Sequence, residues 1–231
     1  MQTPENPIIF PLDVPDARDA RSWVENLGGS VGMFKVGLEL FSVAGPEIVR
    51  EIRGAGHRVF LDLKIHDIPA TARRAMAAIA KAGPVFATAH CAGGKEMLCA
   101  AVEGAKGAVG VLGVTVLTSV SGDSRFVEDL VIERALLARD AGCVGVVCSG
   151  REVEAVKKAA GPGFVVVCPG VRPAWHAGSD DQKRIVTPAL AVAKGADYLV
   201  IGRPIRDAAD PVRAVREILK EIEAAALPQN P

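Results

Sequence analysis

Asp62, Lys64 and Asp67 crowd into one short stretch of the chain, FLDLKIHDIPAT at residues 60–71. An apolar approach, Val59-Phe60-Leu61, gives way to Asp62, Lys64, His66 and Asp67, and Pro69 then opens an amphipathic segment. A strand that turns to charge and then to a helix start places polar groups at the carboxyl end of the strand in an α/β protein. The two-residue period of a strand puts Asp62 and Lys64 on one face and Leu63 on the other. A carboxylate beside an ammonium, with a second carboxylate three residues on, is costly to assemble away from water. A lone D-x-K reads as a solvated ion pair. With the apolar approach, His66 and the residues described next, this one reads as a reaction site.

The elements that must position it follow a regular rhythm. Apolar runs at 8–14, 33–38, 58–64, 85–90, 109–117, 144–148, 164–168 and 198–201 are the expected strands. Helical patterns at 16–27, 46–53, 70–82, 95–106, 125–140, 152–160, 188–194 and 204–225 alternate with them, with stop signals at Gly28, Gly54, Gly83 and Gly142. Eight strand–helix units with near-continuous apolar strands predict a (β/α)8 TIM barrel, a single domain over 1–231. An open doubly wound sheet usually carries a Gly-rich turn after its first strand, and Leu12-Asp13-Val14-Pro15 offers none. Pro11 inside the first strand is an oddity.

In such a barrel the strand ends bring Asp13, Lys35, Asp62, Lys64, Thr118, Arg172 and Arg203 to one rim, where barrel active sites lie. Lys35 is the lone charge among apolar neighbours, and a barrel has no edge strand to excuse it. Asp13 serves equally well as a cap for the following helix, and Thr118 taken alone is a turn hydroxyl. The loop 169–183 and the Gly202-Arg203 turn form an expected phosphate site, built from helix-start N–H groups and a bidentate arginine. Arg172 and Gln182 sit on that loop, which is long enough to fold over a ligand. Asp180, Lys183 and Arg184 read as routine loop charges.

Composition excludes several other classes. Among 231 residues, 27 basic and 27 acidic side chains cancel, so no overall field attracts nucleic acid or an anionic membrane. Seven Phe, two Trp and one Tyr are too few for a base-stacking platform. The polar start MQTPENP resembles neither a signal peptide nor an anchor, and no apolar run approaches a membrane span. Cys91, Cys99, Cys143, Cys148 and Cys168 lack C-x-x-C spacing and read as buried thiols of a cytoplasmic protein, not a disulfide frame or zinc site.

These residues together resemble the orotidine 5'-phosphate decarboxylase family, in its bacterial type. The resemblance runs through LDV at 12–14, KVG at 35–37, DLKIHDIP at 62–69, HCAGG at 90–94 and LTS at 117–119. It continues through PGVR at 169–172, DQKR at 181–184 and IGRPI at 201–205. The D-x-K-x-x-D-I-P string is its specific part. Ile65, Ala70, Pro11 and Cys168 depart from the family's usual residues, and none of the four removes a charged member of the site.

The resemblance implies decarboxylation of orotidine 5'-monophosphate to UMP and carbon dioxide, the last step of UMP biosynthesis, with no metal or organic cofactor. It implies that Lys64 stabilises and protonates a carbanion at C6, within a charged network of Lys35, Asp62 and Asp67. It also implies a homodimer in which Asp67 crosses the interface. Asp13 and Lys35 go to the ribose, Thr118 to the nucleotide region, and Arg172, Gln182, Gly202 and Arg203 to the phosphate or its closing loop. Ile68 and Thr71 complete the substrate-binding set. Related sugar-phosphate enzymes that share D-x-K-x-x-D use magnesium and expect a carboxylate at strand two, where Lys35 stands. A catalytically silent nucleotide-binding barrel is the alternative from another class, and the intact set Lys35, Asp62, Lys64 and Asp67 argues against it.

Overall fold

The eight apolar runs are eight parallel strands, and they close on themselves. The computed structural model describes residues 5–117, 124–176 and 186–226. Its strands are β1 (Ile8–Pro11), β2 (Met33–Gly37), β3 (Val59–Ile65), β4 (Phe86–His90), β5 (Gly110–Val114), β6 (Gly145–Val147), β7 (Val165–Pro169) and β8 (Tyr198–Val200). They pair in sequence order, and β8 returns to β1 through Ile8 opposite Leu199 and Ile9 opposite Val200. Closure leaves no strand edge unpaired, and the expected (β/α)8 barrel is the fold.

The helices are α1 (Ala17–Leu27), α2 (Leu38–Ala44), α3 (Glu47–Gly54), α4 (Pro69–Ala82), α5 (Gly94–Ala105) and α6 (Ser124–Asp140), then α7 (Val153–Ala160), α8 (Pro188–Ala193), α9 (Arg203–Arg206) and α10 (Pro211–Ala226). Asp16, not Asp13, caps α1: its Oδ1 accepts the Asp19 N–H at 2.9 Å. In α4, Pro69 opens the first turn, where its missing N–H costs nothing. Ala72, Met76, Ile79 and Ala82 then form the buried stripe, and Gly83 closes the helix in the left-handed region at φ 72°. Full burial of Met76 is worth about 1.5–3 kcal/mol. Helix α5 packs on α4 at a point where a Cβ on Gly104 would meet the Arg73 carbonyl oxygen at 2.2 Å, so only glycine lets the two backbones approach.

Alternation along the strands makes two cores. Ile9, Met33, Phe60, Phe86, Leu112 and Tyr198 fill the barrel, while Ile8, Phe10, Phe34, Val36 and Leu61 face the helices. A residue two positions beyond an interior one points inward as well. Lys35 follows Met33, Asp62 follows Phe60 and Thr88 follows Phe86 by that interval. The carboxyl end of the barrel therefore carries a polar layer directly above its apolar plug.

Three differences from the expected elements have physical causes. Helix α2 begins at Leu38 and was hidden, because Leu38-Glu39-Leu40-Phe41 prolongs the apolar run of β2. The single helix expected over 204–225 is two. Asp210 Oδ1 accepts the Arg213 N–H at 2.9 Å as a new cap, and a residue before proline, here Pro211, disfavours helical backbone. Several strands are shorter than their apolar runs, β5 and β1 most of all, since apolar content continues past the last paired residue. Pro11 is harmless at the end of β1: the ladder to β8 stops before it, and Leu12 N–H takes up the pairing with the Lys35 carbonyl at 2.9 Å.

Candidate active site

At the carboxyl end of β3 the ladder breaks in a defined way. Leu61 pairs with Ala87 and Ile65 with Ala89, so residues 62–64 of β3 stand opposite the single residue Thr88 of β4. Lys64 sits inside this bulge in the left-handed region, with φ 52°. For a residue with a Cβ that conformation costs about 1–2 kcal/mol, and strain of this kind marks sites where geometry is imposed. Leu61, Leu63 and Ile65 all face the outer groove beside α4, so Asp62 and Lys64 do share the inner face. Lys64 Nζ lies 2.7 Å from Asp62 Oδ2.

Thr88 completes the cluster, and no reading of the sequence singled it out. It is 1% exposed. Its Oγ1 accepts the Lys64 backbone N–H at 2.8 Å, and its hydroxyl donates to Asp62 Oδ1 at 3.0 Å. The only local signal is a hydroxyl at an inward position between the two alanines of β4, FATAH.

Asp62 and Lys64 open into a cavity walled by Phe60, Val114, Val147 and Cys148. An ammonium held in place by a carboxylate among apolar walls is suited to stabilising negative charge that develops in the cavity and to donating a proton there. Lys35 also lines this cavity, together with Pro169 and Val200, and the same three residues line a second one of about 420 Å³. Lys35 Nζ meets Asp13 Oδ1 at 2.8 Å, so Asp13 engages a cation instead of capping a helix. The far side of the second cavity carries Gly170, Arg172, Gly202, Arg203 and Arg206. Three guanidinium groups beside a glycine-rich turn suit a phosphate. Arg206 was not among the expected residues; its place one helical turn after Arg203 on α9 was the available signal.

The base of the 169–183 loop is tied down. Arg172 is 6% exposed, its backbone N–H donates to the Val186 carbonyl at 2.9 Å, and Val171 bridges Val186. Thr118 and Gln182 lie outside the described residues, as do Asp180, Lys183 and Arg184. Asp67, Ile68 and Thr71 are absent from the walls of both cavities. Asp67 is exposed, its Oδ1 accepting the Ile68 N–H at 2.7 Å, and Ile68 is 66% exposed.

His66 stacks on His90, ring centroids 5.4 Å apart. Burial, then the neighbouring His66, Arg134 and Lys64, holds the His90 imidazole below its usual range. Among the cysteines, Cys91, Cys143, Cys148 and Cys168 are buried as expected, Cys99 only partly, and all five are reduced thiols. Burial pushes Cys91, Cys143 and Cys168 up to about 12, which leaves them poor nucleophiles. Among the described residues, no three His, Cys, Asp or Glu side chains converge as metal ligands, and no helix is long and apolar enough to cross a membrane.

Comparison with known proteins gives the family and bears out the fold. The model of the Orotidine 5'-phosphate decarboxylase / HUMPS family matches residues 6–218. The orotidine 5'-phosphate decarboxylase of Desulfosudis oleivorans is 51% identical, over 97% of this chain and 96% of that protein. That of Trichlorobacter lovleyi is 47% identical, over 95% of this chain and 96% of that protein. The crystal structure of orotidine 5'-phosphate decarboxylase from Lactobacillus acidophilus superposes with a TM-score of 0.82 at 34% identity, covering 94% of this chain and 99% of that one.

Proposed function

This chain belongs to the orotidine 5'-phosphate decarboxylase / HUMPS family, and from that premise we propose that it converts orotidine 5'-monophosphate to UMP and carbon dioxide. The observation that carries the proposal is the Lys64 ammonium, fixed 2.7 Å from Asp62 in an apolar cavity that opens past Lys35 onto a cavity lined by arginines. A nucleotide offers the matching pattern: a flat base for the first cavity and a phosphate for the second.

The chemistry asks for little else. Cleavage of the bond between C6 and the carboxylate releases carbon dioxide and leaves an electron pair on C6 in the ring plane, where the pyrimidine π system cannot spread it. A fixed cation beside C6 stabilises that pair, and a proton from the Lys64 ammonium then converts it to the C–H bond of UMP. Water returns the proton to Lys64. Asp62 holds the ammonium and stands near the departing carboxylate. Asp13 and Lys35 face the ribose hydroxyls, and Arg172, Gly202, Arg203 and Gln182 take the phosphate, with Thr118 beside the nucleotide. Binding energy at the remote phosphate is then available to favour the transition state at C6. No metal or organic cofactor enters the scheme.

The same proposal includes a cytoplasmic homodimer of single-domain chains, in which Asp67, Ile68 and Thr71 reach the partner's site. Its support is the exposed apolar Ile68 beside a carboxylate that lines neither the Lys64 cavity nor the arginine-lined cavity described above. Against a magnesium-dependent sugar-phosphate reaction stands Lys35, whose charge at the end of β2 would repel a divalent ion. Incubation of the protein with orotidine 5'-monophosphate should show the absorbance change of conversion to UMP, with carbon dioxide released in equal amount. Absence of turnover would sink the proposal, and turnover of a sugar phosphate in its place would give the site to the other branch of the family.

A further inference from the structure

We infer that Thr88 is a positioning residue for the reaction, acting through Lys64 and Asp62; its kinetic arm rests on the decarboxylase reading above. Three residues of β3 face Thr88 alone. In an uninterrupted ladder the Lys64 N–H would find a backbone carbonyl of β4; in the bulge it finds the Thr88 hydroxyl oxygen at 2.8 Å. That oxygen carries one proton, which is free for Asp62 Oδ1 at 3.0 Å because the bond from Lys64 is accepted, not donated.

The ring closes through the other carboxylate oxygen, Asp62 Oδ2, which accepts from Lys64 Nζ at 2.7 Å. One hydroxyl thus fixes both ends of the ion pair: the left-handed backbone that aims the lysine, and the rotation of the carboxylate that holds its ammonium. At 1% exposure Thr88 leaves no room for water to replace these bonds. Thr88 lines neither cavity, so it acts through Lys64 and Asp62 and not on the substrate. The arginine-lined cavity is built from β1, β2, β7 and β8, so a change at Thr88 should alter turnover and leave phosphate binding in place.

The test uses three variants. Thr88→Val keeps the branched shape and removes the hydroxyl; Thr88→Ser keeps the hydroxyl; Thr88→Cys keeps the size of serine with a weak thiol donor. For Thr88→Val, kcat should fall about 100-fold, the scale of a displacement of about 1 Å in a reacting group. KM for the nucleotide should stay within about 3-fold, and Thr88→Ser should lie within about 3-fold of wild type in both constants. If Thr88→Val shows no cooperative thermal transition, Thr88→Cys against Thr88→Ser decides, with the cysteine variant about 10-fold or more slower. Equal kcat in that pair, or an undiminished kcat in Thr88→Val, overturns the inference, as does a parallel loss in KM.

Amide hydrogen exchange at Lys64 supplies a readout that needs no substrate. Exchange should accelerate in Thr88→Val, or in Thr88→Cys if that protein alone folds, and stay slow in Thr88→Ser. Unchanged exchange in the hydroxyl-free variant overturns the positioning role, whereas inactivity of the wild-type protein with slow exchange sinks only the decarboxylase reading.

Discussion

The Lys35 ammonium lies 2.8 Å from the Asp13 carboxylate, joining the ends of β2 and β1 at the wall shared by the two cavities. With Lys64 it puts two cations on the inner rim, each matched to one carboxylate. A divalent ion placed among them would meet repulsion from both lysines and would have to displace Lys35 from Asp13. Activity should therefore survive exhaustive EDTA treatment and should not rise on adding magnesium. A rate that depends on metal would overturn the proposed use of Lys35.

Arg203 gives a test of the phosphate grip. It begins α9 beside Gly202 and lines the second cavity with Arg172 and Arg206. Loss of one charge-assisted contact to a bound phosphate costs about 3 kcal/mol, or roughly 100-fold. Arg203→Ala should lower kcat/KM for the nucleotide by about that factor and barely change turnover of the phosphate-free nucleoside. Equal losses on both substrates would show that Arg203 supports the barrel and does not hold the phosphate.

Much of this site was legible because it is periodic and local. The inward position of Lys35 and Asp62 follows from counting by two from Met33 and Phe60, and the closed barrel follows from eight apolar runs separated by helices. What stayed hidden is non-local. Thr88 matters because β3 spends residues 62–64 against it, a pairing that no single strand encodes. Helix α2 was masked by an apolar run that continues through Leu38, where only Gly37 marks the change. The break between α9 and α10 was marked by Asp210-Pro211, but the amphipathic pattern on either side obscured it. Arg206 needed the helical spacing from Arg203 to be followed one turn further. Asp67 is the limiting case: its spacing from Lys64 is plain, and which subunit's cavity it serves is not written in one chain.

His90 makes stability depend on pH. Its imidazole is held below the ordinary value of 6.5 by burial first, then by His66, Arg134 and Lys64. The unfolded chain therefore binds the proton more readily than the folded one. The contribution is intact above the ordinary value and is lost as pH falls through the lowered one. The thermal midpoint should drop as pH falls below the ordinary value of 6.5. His90→Asn can still accept the Ala92 N–H that His90 Nδ1 accepts at 3.2 Å, so it should show a shallower drop while remaining folded. Identical pH slopes in the two proteins would assign the dependence to other groups.

The final prediction decides which cavity Asp67 serves. In a two-fold dimer of the proposed kind, each site combines Lys64 of one subunit with Asp67 of the other. Lys64→Ala and Asp67→Ala proteins should each be nearly inactive, because every site in either homodimer lacks one group. Unfolded and refolded together in equal amounts, random pairing makes about half the molecules mixed dimers. One site of a mixed dimer then carries both defects, and its other site carries neither. Activity should return to about one quarter of the wild-type value per subunit, half the molecules with half their sites intact. Exchange of subunits is checked separately, by mixing chains of distinguishable mass. A mixture that exchanges subunits and stays as inactive as its parents would place Asp67 in its own subunit's site. The outward position of Asp67 and Ile68 would then need a movement of the 66–69 turn toward Lys64, instead of a second chain, to bring that carboxylate to the substrate.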